Sequence, residues 1–342
     1  MFKDKTILIT GGTGSLGTSL TKKLLKTGAK KIRIFSRDEW KQTFMKSKLS
    51  DNRLRFFIGD IRDKERLSRA MENVDIVFHA AALKHVPVAE YNPFEFVKTN
   101  VNGTQNVIDS CLDNNVKLAI GVGTDKAVSP ANTYGATKLL MERLFISANF
   151  YKGDHETRFV CVRYGNVLGS RGSILPIFVE SIVSERKVHV TDPTMTRFNI
   201  TIDDAVDLVL RAAEQGKGGE IFVPKLKAFT VEDIKNAIIE LLNLKIKTVK
   251  IPVRAGEKYH ESLIGKHEIL NTYESKKDYV VYNYGGDGLD EKRKIPYPKT
   301  KLKEEYSSEN SKLYSKEELK IIIKKSGLIK ETLPYKFVVD TI

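Results

Sequence analysis

The amino-acid sequence predicts an α/β fold in which helices cover both faces of a doubly wound parallel sheet. Short apolar runs rich in Ile and Val alternate with amphipathic stretches through roughly the first half of the chain. Near-continuous apolar strands separated by helices are typical of βαβ units with a buried sheet. A glycine-rich turn directly follows the first apolar run. The second half does not continue this regular alternation, and it predicts a smaller, loop-rich C-terminal region.

The predicted strands of the first half follow one another in a regular order. The first helix, 16–28, lies between the first two strands and ends at Gly28. Two later helices, 201–215 and 230–244, each begin at a threonine with acidic residues in the first turn. After residue 265, Tyr, Lys, Gly and Pro dominate and strand signals fade. The predicted strands are 6–10, 31–36, 54–60, 75–82, 117–124 and 157–167.

These elements predict two regions in the chain. Residues 1–167, completed by 198–225, would form the sheet domain, and 168–197 and 226–342 a substrate-binding region with a C-terminal extension. The length of 342 residues suits one large domain or two smaller ones that share a cleft. No pattern predicts the path of the chain around 285–310.

Composition argues against several classes of protein. An apolar content of 41% with 29% charged residues is ordinary for a globular protein. No stretch approaches the roughly 18 to 20 apolar residues that span a bilayer, and the N-terminal segment enters a strand without room for a signal peptide. The two cysteines, Cys111 and Cys161, have spacing that predicts neither a disulfide nor a metal site. We therefore expect a cytoplasmic protein with no membrane insertion and no metal.

The formal net charge of +14 raises the question of anionic partners. Basic chains often bind nucleic acid or anionic membranes. Here much of the excess lies in the C-terminal part, interleaved with acidic residues, and no arginine-rich arm, zinc-finger spacing or RNA-binding aromatic motif accompanies it. We expect no nucleic-acid partner, and a solvated surface that also attracts anionic ligands.

The turn after the first strand predicts dinucleotide binding and a Rossmann-type sheet. Gly11, Gly14 and Gly17 allow a tight turn and let a pyrophosphate approach the N-terminus of the following helix. Because the triplet stands between an N-terminal strand and an amphipathic helix, dinucleotide binding is favoured over a merely structural turn. The other predicted contacts in this turn are Thr13, Ser15 and Leu16.

The end of the second strand bears on which dinucleotide is bound. An acidic residue there would accept a hydrogen bond from the ribose 2′-hydroxyl and select NAD. Ser36 and Arg37 take that place, with Lys41 nearby, and a hydroxyl with cations suits the 2′-phosphate of NADP. Asp38, also a predicted contact, comes two positions later and weakens the distinction. We expect NADP.

Later strand ends add predicted cofactor contacts. Asp60 and Ile61 are expected at the adenine edge, although Asp60 could instead cap the helix that starts near Asp63. Asn100 is predicted to be a polar anchor beneath the cofactor. Small residues after the fourth strand suit a close passage of backbone beside the cofactor, namely Ala80, Ala81 and Ala82.

The stretch GTDKAVSPANTYGATK (123–138) carries the predicted catalytic groups. Tyr134 and Lys138 are four apart on a helix and therefore share one face. A neighbouring Lys⁺ and an oxidised nicotinamide would lower the pKa of the tyrosine from its usual value of about 10. Tyr134 could then remove a hydroxyl proton, held by Thr124, while hydride leaves the same carbon for NADP⁺. Tyr134 and Lys138 would also contact the cofactor; out of context, such a pair is more often surface decoration.

These motifs resemble those of the extended short-chain dehydrogenase/reductases. The segments that narrow the resemblance are GTDKA, YGATK, RYGNVLGSRGSILP, TRFNITIDDAV and RAGEKYHE. Together they look like the inverting UDP-N-acetylglucosamine 4,6-dehydratases of surface-sugar biosynthesis, over about residues 3–265. Gly123 replaces the usual Ser of this family, and Asn199 stands where a bulkier residue is common, which bears on the fit of the sugar.

Asp125 and Lys126 would supply a second acid–base pair. Oxidation of a sugar at C4 acidifies the C5 proton, and elimination of the C6 hydroxyl then needs a base at C5 and an acid at the C6 oxygen. The resemblance implies that Lys126 is this base and Asp125 this acid, with reprotonation from the opposite face inverting C5. A lysine base must be neutral, so we expect partial burial beside a cationic cofactor to lower the pKa of Lys126. The alternative is a structural ion pair at a strand end.

A nucleotide sugar carries a diphosphate, so cations should converge on the cleft. Lys84, Arg171 and Arg254 are candidates, and Lys84 is expected between cofactor and substrate. Taken alone, each would more often be a surface charge. The resemblance places Arg254 on the diphosphate and Glu257 near the ribose. It also places four residues near the nucleotide sugar: Asn166, Val167, Arg171 and Ile174.

The resemblance thus implies an NADP-dependent dehydratase that converts UDP-N-acetylglucosamine to UDP-2-acetamido-2,6-dideoxy-β-L-arabino-hex-4-ulose and recycles its cofactor. It further implies a homo-oligomer, commonly a hexamer. Two alternatives stay open. A nucleotide-sugar 4-epimerase needs the Tyr-Lys pair but no Asp-Lys pair, and a non-catalytic NADP-binding protein would need neither.

Overall fold

The fold is built on one large sheet, seen in a computed structural model that describes residues 1–170, 172–282 and 295–329. The strands of the chain are β1 (Thr6–Thr10), β2 (Lys31–Ser36), β3 (Leu54–Ile58), β4 (Ile76–His79), β5 (Leu118–Val122), β6 (Arg158–Val162), β7 (Asn166–Val167), β8 (Lys187–Val190), β9 (Thr196–Ile200), β10 (Glu220–Pro224), β11 (Ala228–Thr230), β12 (Lys247–Lys250), β13 (Ser262–Ile264), β14 (Thr272–Glu274), β15 (Asp278–Tyr282) and β16 (Tyr306–Ser307).

Helices join most of these strands. They are α1 (Ser15–Leu24), α2 (Glu39–Leu49), α3 (Lys64–Met71), α4 (Val86–Tyr91), α5 (Pro93–Phe96), α6 (Gly103–Asp113), α7 (Thr133–Tyr151), α8 (Ile174–Glu185), α9 (Ile202–Gln215), α10 (Val231–Leu242) and α11 (Lys316–Lys325). A π-helical turn occupies Val97–Asn102, and 3₁₀ turns occupy Asp125–Ala127 and Lys266–Asn271.

Within the described residues, the large sheet has nine strands in the order β14-β15-β10-β6-β5-β4-β1-β2-β3. The strands from β3 to β10 are parallel, and β15 is antiparallel to β10 and β14. Because the chain order reverses between β1 and β4, a crevice forms at the carboxyl ends of these strands. The predicted Rossmann-type fold, a doubly wound parallel sheet with a smaller C-terminal region, is confirmed.

Burial on both faces explains the near-continuous apolar strands. In β1, Ile7 and Ile9 pack in the core beneath α1 and α9, whereas Leu8 between them packs in the core of the opposite face. Alternate side chains of a strand point to opposite faces, so both must be apolar when helices cover both. The sheet is thereby rigid enough to present its strand ends as a fixed platform.

A smaller unit packs beside the carboxyl ends of the sheet strands. It contains the sheet β11-β9-β7 and the pair β12-β8, with an apolar core that α8, α10 and α11 share. Thr201 and Thr230 cap α9 and α10, each accepting a hydrogen bond from the backbone three residues on. The two predicted helices with threonine caps are therefore confirmed. The short strand β16 pairs antiparallel with β13, which brings a late segment of the chain back toward the sheet.

Three local predictions need correction. The predicted run 157–167 is two strands, because Gly165 packs against Phe198 and the chain passes into the smaller sheet as β7. Helix α1 ends at Leu24, and Gly28 lies in a separate left-handed turn at φ 77°. Strand signals fade after residue 265, yet β14 and β15 form there as an antiparallel hairpin at the sheet edge. The division into two regions stays a prediction.

Candidate active site

The glycine turn forms a backbone cradle between β1 and α1. Gly11 has a φ of 66°, and a Cβ there would lie 2.8 Å from the Ala81 backbone. A Cβ on Gly17 would lie 2.6 Å from Gly12. No side chain caps α1 at Gly14, and no acidic residue stands in its first turn. An uncapped helix N-terminus suits a phosphate, so the turn fits the diphosphate of a dinucleotide. Thr13, Ser15 and Leu16 lie in the same segment.

The carboxylate of Asp38 is engaged in capping α2. It accepts a hydrogen bond from the Lys41 backbone at 2.9 Å and pairs with the Lys41 ammonium at 2.8 Å. These hydrogen bonds hold the pKa of Asp38 below its usual value. The guanidinium of Arg37 is 53% exposed. Of the predicted residues at this strand end, Arg37 is thus the more accessible to a ligand.

Gln42 is a residue that sequence reasoning missed at the same strand end. Its buried amide donates to the carbonyl and hydroxyl oxygens of Ser36, both at 3.0 Å, and to the Phe57 carbonyl at 2.9 Å. It therefore ties the ends of β2 and β3 together. Its only sequence signal was its place one helical turn after the cap.

Asp60 lies at the end of β3 between two arginines. Its carboxylate binds the Arg62 guanidinium at 2.7 Å and lies 3.6 Å from Arg37. Burial opposes ionisation, but the hydrogen bonds from Arg62 nevertheless hold the pKa of Asp60 below its usual value. Asp63 itself caps α3. The alternative that Asp60 caps this helix is therefore wrong.

Asn100 holds the loop that follows β4. Its side chain accepts from the Leu83 backbone at 2.9 Å and donates to the Leu83 carbonyl at 3.0 Å. It also donates to the Thr137 hydroxyl of α7 at 3.1 Å. Asn100 therefore links this loop, with Ala80, Ala81, Ala82 and Lys84, to the helix that carries Tyr134. Direct contact with a cofactor stays a prediction.

His79 supports the same region and had no sequence signal. Its ring nitrogens lie 2.8 Å from the Thr10 hydroxyl and 3.1 Å from the Thr104 hydroxyl. Burial, with a further contribution from the charge of Lys138, lowers the pKa of His79 to about 3. The neutral ring thus joins the ends of β1 and β4 to α6.

The predicted catalytic segment brings Tyr134 and the Asp125–Lys126 pair into one site. The chain leaves β5, forms the 3₁₀ turn of Asp125–Ala127 and enters α7 at Thr133. A Cβ on Gly135 would collide with the Lys126 carbonyl oxygen, so α7 packs directly on this turn. The Thr124 hydroxyl donates to Asp125 at 2.9 Å and also hydrogen-bonds Tyr134.

The two members of the Tyr-Lys pair have different surroundings. Lys138 is buried and donates to the Val122 carbonyl at 2.6 Å, and burial lowers its pKa to about 8. Burial raises the pKa of Tyr134 to about 12, against the lowering effects of Lys126 and of the Thr124 hydrogen bond. The predicted lowering of the tyrosine pKa requires an oxidised nicotinamide beside Tyr134 and stays a prediction. The positive charge that acts to lower the pKa of Tyr134 in this structure is that of Lys126.

Lys126 is surrounded by acceptors. Its ammonium lies 3.1 Å from Asp125 Oδ1, 3.3 Å from Asn166 Oδ1 and 3.3 Å from Glu261 Oε1. Burial acts to lower the pKa of Lys126, but the two carboxylates outweigh it and raise this pKa above its usual value. Asp125 and Glu261 thus oppose the predicted lowering of this pKa, which requires a cationic cofactor beside Lys126 and stays a prediction; Glu261 was not part of that prediction.

Glu261 and Arg197 belong to this site and were not predicted. Glu261 precedes β13 and is buried beside Lys126. Arg197, on β9, is also buried, and its positive charge acts on Lys126. Both residues lie in segments that carry the family resemblance, RAGEKYHE and TRFNITIDDAV. Position within those motifs was the available signal.

The predicted substrate residues divide into groups. Asn166 reaches Lys126, with Val167 next to it on β7. The loop of Arg254 and Glu257 is fastened to the start of α7, since Asn132 donates to the Gly256 carbonyl at 2.9 Å. Glu257 lies 3.4 Å from Arg197. Ile174 begins α8, and Arg171 lies outside the described residues.

A buried ion cluster lies behind the catalytic helix. Arg163 donates to Glu142 of α7 at 3.1 Å and to Glu268 at 2.8 Å. Glu142 stands one helical turn after Lys138. Burial opposes ionisation of Glu268, yet Arg163 lowers the pKa of this carboxylate to about 2. The cluster fixes α7 against the segment that follows β13.

Comparison with known proteins identifies the family. The sequence profile of the polysaccharide biosynthesis protein family matches residues 7–283, well over half of the chain. The chain belongs to this family. It is 51% identical to the UDP-N-acetylglucosamine 4,6-dehydratase (inverting) of Campylobacter jejuni, over 82% of this chain and 84% of the relative. The predicted membership of the extended short-chain dehydrogenase/reductases is confirmed.

Other members of the family carry different names. The chain is 42% identical to the UDP-glucose 4-epimerase of Rickettsia rickettsii, over 97% of this chain and 99% of the relative. It is 49% identical to an uncharacterised membrane protein of Methanocaldococcus jannaschii, over 94% and 96% of the two chains. In the ranges that the structure describes, no helix is long and apolar enough to cross a membrane.

A solved structure has the same fold over almost the whole chain. The X-ray structure of Pen from Bacillus thuringiensis is 40% identical, covers 95% of this chain and 99% of its own, and superposes with a TM-score of 0.88. Family and fold together describe a nucleotide-sugar enzyme, either a dehydratase or an epimerase.

Proposed function

We propose that this protein is a UDP-N-acetylglucosamine 4,6-dehydratase that inverts C5 and gives UDP-2-acetamido-2,6-dideoxy-β-L-arabino-hex-4-ulose. The observation that carries the proposal is the second acid–base pair, Asp125 and Lys126, packed against the helix of Tyr134. Oxidation and reduction at C4 alone would require only Tyr134 and Lys138. The C. jejuni relative of the same name supports the assignment.

The residues present fit a nicotinamide dinucleotide, and we propose NADP. The glycine turn would hold the diphosphate, and Ser36 with Arg37 would hold the 2′-phosphate, since Asp38 is engaged with α2. The remaining predicted contacts are Asp60, Ile61, Lys84, Asn100, Tyr134 and Lys138, with Ala80, Ala81 and Ala82 along the loop. When bound, the cofactor would take hydride from C4 and return it to C6.

At C4, Tyr134 would take the hydroxyl proton. Thr124 already hydrogen-bonds the tyrosine, so its hydroxyl can orient both the phenol and the sugar. For this step the tyrosine must be a phenolate, the form that a nearby positive charge favours. Burial lowers the pKa of Lys138 to about 8, so this lysine is suited to exchange protons with the tyrosine.

At C5 and C6, Lys126 would remove the proton and Asp125 would protonate the leaving hydroxyl. After hydride return to C6, one proton added to C5 from the opposite face would invert that centre and balance the proton that Tyr134 takes from the C4 hydroxyl. The charges of Asp125 and Glu261 favour Lys126 as an ammonium, and an ammonium at Lys126 with an ionised Asp125 is the protonation state that elimination leaves. A new cycle therefore requires one proton to move from Lys126 to Asp125. Their contact of 3.1 Å allows this without a third group.

For the nucleotide sugar, we propose contacts from Lys84, Asn166, Val167, Arg171, Ile174, Arg254 and Glu257. Arg254 would bind the diphosphate and Glu257 the ribose. Lys84 follows Leu83, which Asn100 holds, and a Cβ on Gly172 would lie 2.6 Å from the neighbouring His85. Gly172, in the loop before α8, therefore lies close to His85, the residue that follows Lys84.

The decisive experiment is incubation with UDP-N-acetylglucosamine in D₂O, followed by mass spectrometry and NMR. We expect loss of one water, deuterium at C5, the L-arabino configuration and no net accumulation of reduced cofactor. A product that keeps the gluco configuration would contradict inversion. Lys126→Ala should form no dehydrated product, and full activity of that variant would remove the role of Lys126.

The second candidate is a nucleotide-sugar 4-epimerase. The specific observation in its favour is the R. rickettsii epimerase, which matches 97% of this chain, including the segment after residue 283. An epimerase would return a product of unchanged mass with the C4 configuration inverted. A non-catalytic NADP-binding protein would return the substrate alone.

We also propose that the protein is a cytoplasmic homo-oligomer, and the resemblance favours a hexamer. Tyr91 on α4 is 88% exposed, and Phe94 on α5 is 63% exposed. Val88 on α4 and Leu140 on α7 are also exposed. Large exposed apolar side chains of this kind often mark contact surfaces. Light scattering should give a mass several times that of one chain, and a monomer at assay concentration would contradict the proposal.

A further inference from the structure

Glu261 lies at the catalytic site, yet the proposed reaction assigns it no step. Only 4% of this residue is exposed, and its Oε1 is 3.3 Å from the Lys126 ammonium. Within the described part of the chain, its second oxygen, Oε2, has no hydrogen-bond partner. A buried carboxylate oxygen without a partner is costly, so packing alone does not explain this glutamate.

The backbone of Glu261 is held independently of its side chain. The Ser308 amide donates to the Glu261 carbonyl at 2.8 Å, and the Glu261 amide donates to the Ser308 hydroxyl at 2.9 Å. Ser308 follows β16, which pairs with β13. We call residues 305–308 the strap. The strap aims the Glu261 side chain at Lys126 without using the carboxylate.

Three oxygen partners surround the Lys126 ammonium. It donates hydrogen bonds to Asp125 and Asn166 and forms an ion pair with Glu261 at 3.3 Å, and an ammonium has three N–H donors but no lone pair. Of these, only Asp125 and Glu261 carry charge. The other titratable or charged groups that act on Lys126 are Arg197 and Tyr134. As an ammonium, Lys126 cannot remove a proton from a sugar.

We propose that Glu261 is a positioning residue that completes this set of three oxygen partners through its ion pair and holds Lys126 as an ammonium until substrate enters. The inference rests on the proposed function, in which Lys126 must become a neutral base. Asp125 also accepts from Thr124 and is committed to protonating the leaving group. Glu261 is therefore the carboxylate whose charge can set the state of Lys126 without taking part in the elimination.

Loss of the contact with Glu261 would release the lysine. When substrate separates the two groups, one N–H bond of Lys126 breaks and one O–H bond of Asp125 forms. This transfer conserves protons and needs no other reactant. It leaves a neutral amine beside C5 and a carboxylic acid beside the C6 oxygen, the pair that the elimination requires.

The test measures the protonation of Lys126 directly, by competitive acetylation of the purified full-length protein with its bound cofactor. Mass spectrometry follows the peptide of Lys126 relative to that of Lys245, an exposed lysine. At about pH 9, removal of one opposite charge in Glu261→Gln should speed acetylation of Lys126 about tenfold or more. Glu309→Gln is the matched control, because Glu309 is exposed and contacts only the outer side of His260 in the described chain.

A change in access alone would alter the rate equally at every pH, whereas the inference requires the rising part of the pH profile to move to lower pH. Glu261→Ala, checked by circular dichroism, serves as the second variant. Unchanged pH profiles of Lys126 acetylation in both variants would overturn the inference.

The same variants separate this inference from the proposed function. Acetylation requires no turnover, so a shifted profile in a protein that fails to dehydrate UDP-N-acetylglucosamine would refute the function and leave the role of Glu261 intact. Dehydration of UDP-N-acetylglucosamine together with an unshifted acetylation profile would support the function and refute the role of Glu261. In a working dehydratase, the rising limb of kcat/KM should also move to lower pH in Glu261→Gln.

Discussion

Replacement of Gly135 by Ala tests whether the contact between α7 and the Asp125–Lys126 turn sets the catalytic geometry. A Cβ at this position would meet the Lys126 carbonyl oxygen well inside the 3.4 Å at which ordinary contact begins. The overlap requires the turn and helix to separate by about 1 Å, and a misplacement of about 1 Å can cost about 100-fold in rate. We therefore expect kcat for dehydration to fall about 100-fold.

Gly135→Ala should reduce the stability of the folded state less than it reduces kcat. Alanine is a better helix former than glycine by about 1 kcal/mol, which offsets part of the strain. Gly153→Ala provides the opposite case, since Gly153 has a φ of 59° and nothing within 4 Å of an added Cβ. That change should cost about 1 to 2 kcal/mol of stability and leave kcat unchanged. Steady-state kinetics and thermal unfolding of both variants give the comparison.

A Gly135→Ala enzyme that dehydrates at the wild-type rate would refute this reasoning. So would parallel losses of activity and stability in both glycine variants, because they would show that kcat follows global stability rather than the contact at Lys126.

Two further predictions concern the ion cluster and the cofactor. Since Glu268 is ionised in the fold with a pKa of about 2, its contribution to stability should be complete above the ordinary carboxyl pKa of about 4.3 and be lost as pH falls toward 2. Glu268→Gln should lose about 3 to 5 kcal/mol at neutral pH in urea unfolding and show a weaker decline with acid than wild type; equal acid profiles would contradict the assignment. Arg37→Ala should weaken NADP binding by about 10- to 100-fold, from loss of about 1.5 to 3 kcal/mol of charge-assisted hydrogen bonding, and hardly affect NAD. Calorimetric titration with both dinucleotides checks this, and an equal loss for both would mean that Arg37 does not bind the 2′-phosphate.

The parts of the fold that sequence predicts are those specified by local pattern. β1 and β2 have the predicted bounds because strand propensity changes abruptly at their ends, where the glycine turn follows β1 and Arg37 and Asp38 follow β2. The threonine caps of α9 and α10 are likewise local signals. The hairpin of β14 and β15 was missed because short antiparallel edge strands lack the long apolar run of a central strand.

The candidate site was predictable as a set of residues but not as an electrostatic environment. Thr124, Asp125, Lys126 and Tyr134 lie together, as their spacing indicates. The pKa of Lys126 depends on Glu261, which is distant in sequence and is brought to the site by long-range contacts that include the pairing of β13 with β16. Tertiary contacts of this kind leave no periodic signal in the sequence.

The strap also bears on the order in which the protein is made. Synthesis proceeds from the N-terminus, so the strands of the dinucleotide sheet up to β6 and the whole of α7 exist before residues 305–308 have been added. A nascent chain at that stage would contain every proposed catalytic residue but lack the pairing that fixes Glu261. We expect a fragment ending before residue 305 to leave Lys126 less restrained. Synthesis of the strap would thus be the event that fixes Glu261 beside the reactive lysine and holds that lysine as an ammonium.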